Sequence, residues 1–170
     1  MTLGSVRYDI RINRSAADVW RVAGDPARLA DWFPGITSCR VDGTVRTITL
    51  GSGVVMPEEI LVNDAHQRRF QYRITASIFK YHRGTIDVID LGDDTCVVAY
   101  ATEADPRTMA LTIAGGTAGA LDELKRQMET PMDTPMDTPM ETPMETPMET
   151  LVETVTEPPA AAASATNRAN

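Results

Sequence analysis

The stretch RRFQYRITASIFKYHRGTIDVIDLGDDTCVVAYATEA, residues 68–104, indicates the fold most directly. It contains three runs rich in β-branched and aromatic residues, which we predict to be strands at 68–76, 79–90 and 94–104. A short link near Ala76-Ser77 separates the first two runs, and Gly92-Asp93-Asp94 separates the last two. Turn residues between such runs are typical of antiparallel hairpins, so we expect neighbouring strands to pair.

The same pattern extends towards the N-terminus. Three further strands are predicted at 36–42, 44–50 and 53–63, with Asp42-Gly43, Gly51-Ser52-Gly53 and Asn63-Asp64 as turns. A first strand is predicted where apolar and polar residues alternate, its apolar set being Val6, Tyr8, Ile10 and Ile12. Seven antiparallel strands are therefore expected.

Helix signals occur at three places. Ser15, with Asp18 three residues later, resembles a capping box and predicts a short helix. Asp25-Pro26 begins a second short helix, which Pro34-Gly35 ends. After Asp105-Pro106 a long helix is predicted, with an apolar stripe of Met109, Ile113, Thr117, Leu121, Leu124 and Met128. Gly115-Gly116 inside it predicts a kink or close packing.

The chain divides into a domain and a tail. Residues 1–128 form the predicted domain, and 129–170 form a disordered acidic tail built on repeated METP and MDTP units. The tail carries eight acids and one base, so the domain has 16 acids and 15 bases. This near-neutral balance gives no reason to expect binding to nucleic acid or to an anionic membrane.

Several classes of protein are not indicated. No apolar run is long enough for a signal peptide or a membrane span, so we expect a cytoplasmic protein without stable membrane insertion. Cys39 and Cys96 are far apart and are interpreted as reduced thiols. Two histidines without clustered acids do not suggest a metal site, and no cofactor motif is present.

The order of elements predicts an internal cavity. Only one long helix is available to cover a seven-stranded sheet, so the sheet must curl around it. Curling leaves space between sheet and helix, because the two short helices close one end and do not fill the middle. Such spaces are frequent ligand sites.

The motifs, taken in order, resemble the START-like (SRPBCC) superfamily and, within it, the polyketide cyclase/dehydrase and lipid transport family. They are Ile12 to Trp20, Asp25-Pro26, Trp32-Phe33-Pro34-Gly35-Ile36, Glu59-Ile60-Leu61, Phe70 to Ile74, Tyr81 to Ile86, the Gly92 turn and Pro106. The resemblance covers residues 4–128 and implies an α+β helix-grip fold: a curved antiparallel sheet around the C-terminal helix. It does not specify one function, because the family includes both carriers and ring cyclases.

Candidate ligand-binding residues lie on the strands and helices around this cavity. They are Trp32, Phe33, Phe70, Tyr72, His82, Val98, Tyr100, Ile113 and Thr117. The alternative for Trp32 and Phe33 is a hydrophobic plug, and for Tyr72 and Tyr100 it is an ordinary place in the core.

Two residues are candidates for proton transfer. His82 shares strand parity with apolar neighbours and could face the cavity, although a strand-end histidine is more often a satisfied polar residue. Glu58 and Glu59 must point to opposite faces unless Pro57 marks a bulge. The resemblance favours Glu59 as the inward carboxylate, pairing with Arg73 or acting as a base.

The leading hypothesis is therefore a monomer or homodimer that binds a small hydrophobic or amphipathic molecule, such as a lipid, polyketide or isoprenoid, for sequestration or transport. One alternative is a cyclase or dehydratase that uses the same cavity, with His82 or Glu59 as acid or base. A second is an interaction module that acts through the acidic tail.

Overall fold

The computed structural model of the protein describes residues 3–130. Within these residues the strands are β1 (Gly4–Ile12), β2 (Ile36–Asp42), β3 (Val45–Leu50), β4 (Val55–Asp64), β5 (Arg69–Ile74), β6 (Tyr81–Asp90) and β7 (Cys96–Asp105). The α-helices are α1 (Ala16–Ala23), α2 (Leu29–Trp32) and α3 (Arg107–Glu129), and a short 3₁₀ turn, Pro26–Arg28, leads into α2.

The strands form one antiparallel sheet in the order β1-β7-β6-β5-β4-β3-β2. Every pair except β1–β7 joins strands that are consecutive in the chain, as hairpin connections require. Helix α3 packs against β1 and β7, and α2 packs against β2. The predicted helix-grip fold is therefore confirmed, with one long helix held against a curved seven-stranded sheet.

Local sequence explains the short helices. The Ser15 hydroxyl accepts a hydrogen bond from the backbone N–H of Asp18 at 3.2 Å and so caps α1. The Asp18 carboxylate pairs with Arg21 and does not complete a capping box. Asp25 accepts from the N–H of Ala27 at 2.9 Å, which fixes the start of the 3₁₀ turn. The sequence placed both helix starts correctly.

Three predicted strands begin two residues later than expected, β4, β6 and β7, and in β4 and β7 turn residues occupy the predicted first positions. Gly53 has a φ of 84° and Asp94 a φ of 59°, both in the left-handed region. Strand β4 consequently begins at Val55 and β7 at Cys96.

The core lies between the inner face of the sheet and the helices. Its largest fully buried apolar side chains come from all of these elements: Ile12, Val19, Trp32, Phe70, Ile86, Val98, Tyr100, Leu121 and Leu124. Along β7, buried and half-buried residues alternate from Cys96 to Ala104, as expected for a strand with one face on the core.

Helix α3 is unbroken through its paired glycines. A Cβ built on Gly116 would lie 3.1 Å from Cε1 of Phe33, whereas one on Gly115 would have no neighbour within 4 Å. Of the two predicted outcomes, close packing is therefore correct, and it involves Gly116.

The C-terminal end of α3 is tied to the rest of the domain. The Glu129 carboxylate accepts from the backbone N–H of Asn13 at 2.7 Å and from Lys125 Nζ at 2.8 Å. The helix thus extends one residue past the predicted boundary at 128, and nearly all of the predicted tail, from 131 on, lies outside the described residues. None of the described helices is both long and apolar enough to span a membrane.

The two glycines predict different effects of substitution by alanine. Gly115→Ala should raise the free energy of unfolding by about 0.5–1 kcal/mol, because alanine restricts the unfolded chain and meets no neighbour. Gly116→Ala should give no such increase, because its added Cβ would lie too close to the Phe33 ring. Urea unfolding of both variants measures the difference, and an equal gain in the two would contradict the close packing at Gly116.

Candidate functional site

A cavity of about 490 Å³ lies between the inner face of the sheet and the N-terminal half of α3. Most of its wall is apolar, and the apolar side chains are Leu29, Phe33, Pro34, Ile36, Ile48, Leu50, Met56, Ile74, Phe79, Met109 and Ile113. Strands β2 to β5, the β5–β6 loop, the segment after α2 and the helix all contribute. A cavity of this size and character suits a small, mostly apolar molecule.

Five polar side chains also reach this cavity: Glu58, Tyr72 and Tyr100 on the sheet, Ser52 on the β3–β4 turn and Thr112 on α3. The hydroxyl oxygens of Tyr72 and Tyr100 are 2.7 Å apart and share a hydrogen bond. Burial raises the pKa of Tyr100 to about 12, and burial followed by the neighbouring Tyr100 and Glu58 raises the pKa of Tyr72 well above its usual value. Both phenols are therefore neutral at physiological pH and able to donate hydrogen bonds.

Glu58 pairs with Arg46, a residue that does not itself line the cavity. These residues are direct partners on β4 and β3, and Arg46 Nε donates to Glu58 Oε2 at 2.6 Å. The two side chains are only 2% and 3% exposed. Burial raises the pKa of Glu58, and the Arg46 guanidinium opposes that rise. The pair places two compensating charges inside the domain.

Aromatic rings surround the Arg46 guanidinium. Its carbon lies 4.6 Å from the centroid of Tyr72 and 5.0 Å from that of Phe70, in cation–π geometry. Among the described residues, Arg46 Nη2 is buried without a hydrogen-bond partner. Tyr72 in turn lies directly over Gly84, where an added Cβ would come within 2.2 Å of the Tyr72 ring. Gly84 thus leaves room for the ring.

His82 is buried beside the cavity. Its Nδ1 accepts the backbone N–H of Ile74 at 3.0 Å, so the neutral ring carries its proton on Nε2. Its ring packs 5.5 Å from Tyr72 and 5.4 Å from Phe79, and burial lowers its pKa to about 4. Nε2 has no partner within the described part of the chain. The neutral ring therefore has no free lone pair with which to accept a proton from a ligand.

The sequence-predicted residues divide between cavity and core. Phe33, Tyr72, Tyr100 and Ile113 line the cavity. Four others are at most 1% exposed and pack in the core instead of lining it: Trp32, Phe70, Val98 and Thr117. His82 borders a different pocket, together with Arg73, Tyr81 and Arg83.

The choice between the two glutamates was wrong. Glu58 is the inward carboxylate, and Glu59 lies on the outer face, 38% exposed and paired with Arg73. Pro57 remains in register opposite Thr47, and the irregularity of β4 falls between Ile60 and Val62. Regular alternation therefore holds through both glutamates, and Glu58 shares the face of Met56.

Arg46 is a buried residue of the site that was not among the candidates predicted from the sequence. Its strand reads Arg46-Thr47-Ile48-Thr49-Leu50, so the arginine shares parity with Ile48 and Leu50, which both line the cavity. The alternation that placed Tyr72 inward also applied here. An arginine on the inner face needs a buried counter-charge, so an acid on a neighbouring strand should also point inward. Glu58, directly opposite Arg46 on β4, is that acid.

These features define a START-like protein: a helix-grip sheet with an apolar cavity under its C-terminal helix. Residues 4–129 match the family described as polyketide cyclase/dehydrase and lipid transport. The chain belongs to this family, as its motifs indicated.

Solved structures show the same fold. The protein XoxI from Bacillus cereus is 21% identical and has a TM-score of 0.68, covering 74% of this chain and 95% of its own. Norcoclaurine synthase from Thalictrum flavum is 21% identical with a TM-score of 0.60, covering 74% of this chain and 86% of its own. A START superfamily protein from Mycobacterium smegmatis is 13% identical with a TM-score of 0.61, covering 72% and 97%. No curated protein sequence matches the chain significantly.

The buried ion pair predicts strongly non-additive mutations. Arg46→Met leaves Glu58 buried without a counter-charge and should lower the free energy of unfolding by about 3–5 kcal/mol. The double variant Arg46→Met/Glu58→Leu removes both charges and should recover most of this loss. Arg73→Met, which breaks the exposed pair with Glu59, should change stability by about 1 kcal/mol or less. Additive losses at Arg46 and Glu58 in urea unfolding would contradict a compensating pair.

His82 predicts a pH dependence of stability. Its folded pKa is about 4 against a reference of 6.5, so below pH 6.5 the unfolded chain binds a proton that the folded protein does not. The free energy of unfolding therefore keeps its full value above pH 6.5. It decreases as the pH falls towards 4, by about 3 kcal/mol in total. His82→Gln should flatten the unfolding free energy across this range, whereas His66→Gln, on an exposed turn, should not. Identical slopes for His82→Gln and the unaltered protein would contradict the neutral buried ring.

Proposed function

We propose that the domain binds one small molecule with a mainly apolar body and one polar group, for sequestration or transport. The observation that carries this proposal is the 490 Å³ cavity, whose wall is apolar except for Glu58, Tyr72, Tyr100 and a few small polar residues near the turns and helix. Burying the apolar body would contribute about 25 cal/mol per Å² of surface removed from water. Membership of a family that includes lipid transport supports the same reading.

The polar groups would orient the ligand. Apolar contacts fix no direction, whereas hydrogen bonds to Tyr72, Tyr100 or Glu58 would place the polar end of the ligand against the inner wall. Norcoclaurine synthase, which shares the fold, has been solved in complex with dopamine and hydroxybenzaldehyde. Both compounds are aromatic phenols, and of their polar groups the phenolic hydroxyl is the one that this cavity would accept.

Catalysis of the cyclase or dehydratase type is the second candidate. One observation favours it: a carboxylate and two phenols meet at one cavity surface. A phenol with a raised pKa can donate a hydrogen bond to an oxygen that gains negative charge, and a carboxylate can accept a proton. Glu58 takes the place that the sequence had assigned to Glu59, and His82, whose lone pair is occupied, has no such role in this proposal.

Location, partner and oligomeric state are part of the same proposal. We place the protein in the cytoplasm, consistent with Cys39 and Cys96 both being free thiols. The proposed partner is the small molecule, taken up by a monomer or a homodimer. Binding through the acidic tail remains a separate hypothesis, in which blocking the cavity would leave activity intact.

A pair of tryptophan substitutions on α3 tests the cavity. Ile113 lines it, whereas Leu111, two residues earlier, is 60% exposed. Ile113→Trp should lower the affinity for a polarity-sensitive apolar fluorophore at least tenfold by filling the binding space, and Leu111→Trp should leave it within about twofold. The full-length protein, purified gently, should also release an organic molecule on denaturation that native mass spectrometry detects.

The outcomes separate the hypotheses. An unchanged molecule recovered in stoichiometric amount supports binding. Conversion of that molecule on incubation, abolished by Glu58→Gln and retained by Glu59→Gln, would support catalysis. No uptake of fluorophore by the unaltered protein would reject the cavity as a binding site.

A further inference from the structure

The inner end of the cavity carries a pattern of charge and hydrogen-bonding groups that restricts the ligand. Glu58 contributes one negative charge and Arg46 one positive charge. A hydrogen bond of 2.6 Å from Arg46 Nε to Glu58 Oε2 joins them. With both side chains almost fully buried, little water is available to screen any further charge. The polar end of the cavity is therefore electrically neutral before a ligand arrives.

Among Glu58, Tyr72 and Tyr100, which line the cavity, the hydrogen bonds leave one acceptor and one donor free. Arg46 Nη2 is a further unpartnered donor, but it is buried and Arg46 does not line the cavity. Arg46 occupies Oε2 of Glu58, and no described residue donates to Oε1. Between Tyr72 and Tyr100 one phenolic hydrogen is used in their mutual bond, so the second remains free. Glu58, Tyr72 and Tyr100 all line this one cavity, so the free carboxylate oxygen and the free phenolic hydrogen face the same space.

We propose that this polar end selects a neutral hydroxyl group, so that the ligand is a hydrophobic alcohol or phenol and not a fatty acid or an amine. A hydroxyl donates one hydrogen bond and accepts another, matching Glu58 Oε1 and the free hydroxyl hydrogen of the Tyr72–Tyr100 pair. The inference rests on the proposed function, because it concerns the head of a molecule held in the same cavity.

Charged heads fit poorly for opposite reasons. A carboxylate would face Glu58 with like charge, and the adjacent cation, Arg46, is already neutralised by that residue. An ammonium could approach Glu58, but it would leave two cations sharing one buried anion. In either case one uncompensated charge is buried, which is costly where water is excluded.

The test uses ligands that share a ten-carbon chain and differ only at the head. Decan-1-ol, 1-methoxydecane, decanoate and decylammonium compete at pH 8 with a bound apolar fluorophore. Decanol should bind about tenfold more tightly than the methyl ether, which accepts but cannot donate to Glu58. Decanoate and decylammonium should bind at least tenfold more weakly than decanol.

Variants that unbalance the charge should switch this preference. Glu58→Gln leaves the Arg46 charge uncompensated. The affinity for decanoate should therefore rise at least tenfold and exceed the affinity for decanol. Arg46→Gln should favour decylammonium in the same way. Glu59→Gln removes a charge of the same type from the outer face and should leave all four affinities within about twofold. If the single variants fail to fold, the ranking of the four ligands on the unaltered protein still decides.

The failures of the two proposals are distinguishable. If no ligand displaces the fluorophore and none binds directly, the proposed function fails. If all four bind equally, or decanoate binds best to the unaltered protein, the cavity is a binding site but its selection of a hydroxyl is overturned. A preference for decanol that Glu58→Gln leaves unchanged would also overturn it, since the ion pair would then play no part.

Discussion

The buried pair of Arg46 and Glu58 constrains the rest of the domain. The two residues are directly opposite each other on β3 and β4, so their contact depends on the register of that pairing. A shift by one residue would turn one charge to the outer face and leave the other buried alone, which is costly. Charge compensation therefore reinforces the register that hydrophobic alternation already favours.

This pair is the start of a series of contacts that crosses five neighbouring strands, β3 to β7. The Arg46 guanidinium lies against the Tyr72 ring of β5, which occupies the space above Gly84 of β6. The Tyr72 hydroxyl then meets that of Tyr100 on β7. Because each member contacts the next, the protein itself holds the polar groups in place, and binding of the proposed ligand would not have to order them.

The sequence predicted the fold well and the site only in part. Strand alternation and turn residues identified all seven strands, and helix caps at Ser15 and Asp25 placed the short helices. Alternation also turned Tyr72 and Tyr100 inward, but it could not tell a core position such as Val98 from a cavity position, because both share one face of the sheet. That difference depends on where α3 lies over the sheet. Resemblance favoured Glu59 where unbroken parity with Met56 pointed to Glu58.

The position of the ion pair bears on why it is present. A buried salt bridge is weak evidence for stability, since well-packed apolar residues often serve equally well in its place. Here the pair lies in an apolar wall, with one carboxylate reaching the cavity and Arg46 Nη2 left without a partner among the described residues. A group kept for stability alone would be expected to have its hydrogen bonds satisfied within the protein. The arrangement is better explained if the pair holds Glu58 ionised at the cavity surface, where its second oxygen can accept a hydrogen bond from a ligand.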